Sequence, residues 1–182
     1  ENFVSAACKV MCPERPARDT NPTVLSMGLA TLGILVSGPA SPDETKVISS
    51  AFQDEGGVRC VVKVLGDAVR TRSFSVMEDS LSALASIARF DRALGEFVVH
   101  SGGVGPVIQA VWCAVTIPES VTVRCAEMKC GVAAVLSHHV VSANTMRQSN
   151  LAEPLSKLVT RFSHEPRVAA PGSQAISRVR LT

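Results

Sequence analysis

Three stretches of this chain repeat one pattern in register: "EGGVRCVVKVL" at 55–65, "SGGVGPVIQAV" at 101–111 and "SNLAEPLSKLV" at 149–159. When they are stacked, Gly56, Gly102 and Asn150 coincide, with 46 and then 48 residues between them. Val58, Val104 and Ala152 follow, then Val61, Val107 and Leu155, and Leu65, Val111 and Val159 close the set. Glycine exchanging with asparagine is informative, because these residues best tolerate the left-handed conformation that ends a helix. Pro106 and Pro154 fall together in the first turn of the next helix, where a missing N–H costs nothing. Each stretch therefore reads as a helix–turn–helix joint, and the chain as an array of helical units.

The segments between the joints agree. Met77, Leu81, Leu84 and Ala88 stand at i, i+4, i+7 and i+11, the stripe of an amphipathic helix. Shifted by the repeat, Leu84 and Ile87 become Val132 and Val135 downstream and Leu32 and Leu35 upstream. A longer shift turns Val76, Leu84 and Ile87 into Val168, Ile176 and Val179. No segment alternates with the period-two pattern of a strand. The expected fold is all-α.

The glycines of "HSGGVGPVIQAV" could also suggest a phosphate-cradling loop, but the motifs fail. A Walker loop needs Gly-x4-Gly-Lys-Ser/Thr, and no lysine lies between Lys63 and Lys129. A dinucleotide fingerprint needs a glycine where Ile108 stands. No nucleophile sits in a recognisable strained turn, so no enzyme activity and no cofactor are expected. His138, His139, Cys125 and Cys130 do not make a zinc site, because adjacent histidines on a helix end point apart and Cys-x4-Cys lacks knuckle spacing.

Composition limits the partners. Net charge is +2 and charged residues are 19%, against roughly 25% in ordinary domains. There is one Trp and no Tyr, and no dense Lys/Arg stripe. Nucleic-acid binding therefore lacks both its electrostatic footprint and its stacking residues. The uncharged window 101–118 holds three glycines and two prolines and falls short of the ~20 apolar residues of a membrane span. The six cysteines lie in helical apolar patterns without a CxxC pair, so they are expected as free thiols in a reducing, cytoplasmic compartment. The chain starts at Glu1 with no signal segment, and is read as a piece of something longer.

The period, with three helical pieces in each, resembles the armadillo repeat family, whose pattern runs Gly-apolar-apolar-x-Pro-Leu-x-x-Leu-Leu and then a helix ending Ala-Leu-x-Asn-Leu. "NLAEPLSKLV" and "GGVGPVIQAV" match the first half, and "SALASIA" at 82–88 matches the second. The resemblance implies a right-handed α-solenoid of four units, at about 1–38, 42–90, 91–138 and 139–182. HEAT repeats, with two helices per unit and a similar period, are the alternative. The loop "PERPARDT" at 13–20 is expected as a flexible insertion, and Pro171-Gly172 as a kink in the final helix or the mark of an atypical last unit.

In armadillo proteins the last helix of each unit lines a concave groove that holds an extended partner. By that resemblance the groove here takes Met27, Ala30 and Ile34 from the first unit and Asp79, Ser82, Ser86 and Arg89 from the second. The third unit offers Glu127, Cys130, Ala134 and Ser137, and the fourth Gln174 and Arg178. Nuclear-import members carry an Asn in each groove helix that clamps a basic peptide, and this chain has Ile34, Ser86, Ala134 and Arg178 at that place. Import of basic signals is therefore not expected. The small residues suit either close approach of a partner protein or packing within the chain itself. The implied function is a non-enzymatic protein–protein interaction scaffold. Alternatives are a structural subunit of a large cytoskeletal or ciliary assembly and, more narrowly, an armadillo-type co-chaperone.

Overall fold

The computed structural model describes residues 3–11, 21–38, 40–117 and 121–181, so the expected loop at 13–20 lies outside the described residues. These form eleven helices and no strand. They are α1 (Phe3–Met11), α2 (Pro22–Leu35), α3 (Pro42–Asp54), α4 (Gly57–Thr71), α5 (Phe74–Phe90) and α6 (Arg92–His100), followed by α7 (Val104–Thr116), α8 (Val123–Leu136), α9 (Val140–Gln148), α10 (Ala152–Arg161) and α11 (Pro166–Leu181).

The joints behave as their residue types require. Gly56, Gly102 and Asn150 have φ of 75°, 79° and 51°, so the three aligned positions share the left-handed conformation. At Gly102 the N–H of Gly103 donates to Val98 O and that of Gly102 to Val99 O, which satisfies the last carbonyls of α6. Leu151 to Met146 O and Asn150 to Arg147 O repeat the arrangement at the end of α9. Pro106 and Pro154 then occupy the first turns of α7 and α10.

Other helix starts are fixed by side-chain caps. Asn21 accepts from Thr23 N at the start of α2. Ser41 and Glu44 form a reciprocal capping box on α3. Asp91 caps α6 through Ala93 N and also accepts from Ser49 Oγ at 3.0 Å, tying α3 to α6.

Packing follows three ladders. Helices α1, α4, α7 and α10 pack in succession, α2, α5, α8 and α11 pack side by side, and α3 packs on α6. Each repeat from α3 onward therefore has three helices, which is the armadillo arrangement and not the HEAT one. The core runs unbroken between the ladders, with Leu32, Leu84, Ile87, Val132 and Val168 all at 0% exposure. The second ladder packs closely because small residues face its seams. A Cβ on Gly33 would lie 3.8 Å from Ala83 Cα, and one on Gly172 would meet Val159 Cγ2 and Cys130 Sγ. Helix α11 runs continuously through Pro171, so Gly172 serves close packing against α8 and α10.

No single helix among the described residues is long and apolar enough to cross a membrane. The apolar pair α6 and α7 is bent by 81°.

Candidate binding groove

The ladder of α2, α5, α8 and α11 carries the candidate groove, and its character changes along its length. At the α2 end Met27 and Ile34 are 67% and 72% exposed, with Ala30 exposed between them. Helix α2 has no charged residue at all. Next, Asp79 on α5 and Arg124 on α8 pair across the seam at 3.7 Å, largely offsetting each other's charge. Beyond them the surface turns cationic.

Two clefts occupy that end and share Arg89 and Pro171. One, about 220 Å³, lies between α5, α8 and α11 and is lined by Ser82, Ser86, Arg89, Glu127 and Arg167 among others. The other, about 730 Å³, lies at the C-terminal ends of α5 and α8 and is lined by Arg89, Arg92, His138, His139 and Gln174 among others. Arg89 is positioned by Gly131, since a Cβ there would lie 3.3 Å from its guanidinium. Arg178 is held by donating Nη1 to Ala134 O at 3.0 Å. Burial, then the charges of Arg178 and His139, depress the pKa of His138 below the usual imidazole value.

These positions sort the expected groove residues. Ala30, Ile34, Arg89 and Gln174 are exposed, and Ser82, Ser86 and Arg178 are half-buried on the same ladder. Cys130 is not in the groove. It is 0% exposed, turned into the seam against Gly172, and burial pushes its thiol pKa up to about 12. Ala134 borders the larger cleft but, at 5% exposure, is largely covered, and it contributes its backbone carbonyl to Arg178. Ser137 is also buried, its hydroxyl donating to Ala134 O. The helical phase assigned to α8 was therefore off by part of a turn, and the small residues there serve packing within the chain.

Arg92, Arg167, His138 and His139 were missed as groove residues. Arg167 was within reach of the sequence, since it precedes Arg178 by three helical turns on one face. The other three flank helix ends, and only the stacking of the units brings them to the cleft.

Among the described residues, Cys113, Cys125 and Cys130 are free thiols. Cys125 accepts a hydrogen bond from Lys129 Nζ in the core between α5, α8 and their neighbours, and burial raises its pKa although the lysine opposes this.

No protein-family model and no curated protein matches the sequence. Solved structures do. A designed armadillo repeat protein is 15% identical, with a TM-score of 0.71 over 97% of this chain and 64% of that one. A second, solved in complex with the peptide (KR)4, is 16% identical with a TM-score of 0.69 over 97% and 64%. An engineered protein at 20% identity gives a TM-score of 0.74 over 98% of this chain and 38% of its own length. The chain thus spans less than two thirds of the length of each of these neighbours. At these identities the likeness speaks for architecture, which the left-handed joints and the three-helix units already require: this chain folds as a right-handed armadillo-type α-solenoid.

Proposed function

We propose that this chain is a non-enzymatic scaffold that holds a segment of a partner protein along the ladder of α2, α5, α8 and α11. The observation that carries the reading is the open surface itself, from Met27, Ala30 and Ile34 through Ser82 and Ser86 to Arg89 and Gln174. Solenoids use such extended surfaces to engage extended partners. The designed neighbour bound to (KR)4 supports use of this architecture for peptides. A reducing, cytoplasmic setting is part of the proposal, on the placement of the six cysteines in helical apolar patterns without a CxxC pair.

The test is a selection of peptides from a random display library on the wild-type protein. Their affinity is then measured on a variant carrying Ala30→Gln and Ser86→Gln, which fill the surface without adding charge. Neither side chain belongs to the core, so the melting temperature should hold while affinity falls by more than about tenfold. Unchanged affinity on a folded variant would sink the groove reading.

A second reading, a subunit built permanently into an assembly, has one observation in its favour. A cleft of about 410 Å³ between α2 and α3 exposes Ile34 and Val47, 72% and 70% accessible, beside Leu35 and Ile48. Exposed apolar side chains of this kind, rimmed here by Asp43 and Glu44, suit a permanent contact.

A further inference from the structure

We infer that the α8–α11 end of the groove selects an acidic peptide segment, so that the bound partner is apolar where it crosses α2 and carboxylate-bearing where it reaches Arg89 and Arg167. This rests on the groove reading above and adds the chemistry of the occupant.

The charges carry the argument. Arg89 lies where the two clefts meet, and Arg167 lines the smaller one from α11. Among the described residues neither has a carboxylate within ion-pair distance. Glu127 is the one acidic residue lining either cleft. Arg92 adds a guanidinium that Glu96 engages through Nε at 3.1 Å. His138 and His139 bring imidazoles to the same cleft. A carboxylate placed between Arg89 and Arg167 would meet guanidinium donors suited to bidentate bonds in a partly enclosed site. Like charge would be rejected there. Helix α2 itself carries no charge, so the same ligand needs apolar side chains where it contacts Met27 and Ile34.

Fluorescence anisotropy with labelled peptides of alternating Glu and Leu, Gln and Leu, or Lys and Leu tests this, alongside a labelled oligothymidylate. The Glu peptide should bind more than about tenfold tighter than the Lys peptide, with the Gln peptide between them, and the margin should shrink as salt rises. Arg89→Glu with Arg167→Glu should invert that order. Arg59→Glu with Arg147→Glu makes the same change in net charge on α4 and α9, away from the groove, and should leave the order intact. Equal binding of the three peptides, all weakened alike by Ala30→Gln with Ser86→Gln, would overturn the anion selection and leave the groove reading standing. No binding of the Glu peptide would overturn the inference outright. Tighter binding of the oligothymidylate than of the Glu peptide would also overturn it, assigning the cationic end to nucleic acid.

Discussion

His138 shows how a single residue registers its surroundings. It follows α8 at the edge of the larger cleft, where burial, Arg178 and His139 all disfavour the imidazolium form. Its folded pKa lies below the unfolded value, so the folded state holds fewer protons as acid is added. The neutral ring is favoured at neutral pH, and this residue's contribution to stability declines as pH falls below about 6.5. In an NMR titration the His138 ring signals should shift with a midpoint below that of an unstructured histidine. Arg178→Gln should move the midpoint upward, because one of its causes is removed. A midpoint that does not respond would show that the arginine charge does not reach the ring.

Among the elements, the joints decide most. Gly56, Gly102 and Asn150 were recognisable as left-handed positions because their residue types tolerate that conformation. Arg72 was not, yet it holds φ 56° at the end of α4, with Ser73 N bonded to Ala68 O. An L side chain there costs roughly 1–2 kcal/mol. Glycine would relieve that strain, although it also enlarges the unfolded ensemble. Arg72→Gly should therefore stabilise the fold by up to about 1 kcal/mol, read as a rise in the denaturation midpoint. A lower midpoint would mean that the arginine side chain contributes more than its backbone costs.

At the scale of the whole molecule, stability resides in the core shared between neighbouring units. Leu84 lies at 0% exposure on α5, which packs against both α2 and α8. Leu84→Ala should therefore cost about 2–5 kcal/mol in chemical denaturation. Arg70→Ala removes only an exposed pair with Asp67 on α4 and should stay within about 0.5 kcal/mol. Equal midpoints for the two variants would contradict a core continuous across the ladders.

What the sequence determined by itself was the repeat, because each joint needs residues that tolerate positive φ and each helix needs its apolar stripe. Those are local demands, and they recur wherever the unit recurs. Leu32, Leu84 and Val132 were legible as core for the same reason. The groove was less legible, since a small residue on a helix satisfies a partner surface and a helix seam equally well. Cys130 went to the seam because α11 approaches α8 closely at Gly172, and Ala134 borders the larger cleft but is mostly covered where Arg178 reaches its carbonyl. Ser82 and Ser86 stayed at the cleft, where α5, α8 and α11 leave an opening. Only the stacking of units could bring Arg89, Arg167 and His138, far apart along the chain, to one end of one surface, because charge at a cleft depends on distances between helices that no single helix encodes.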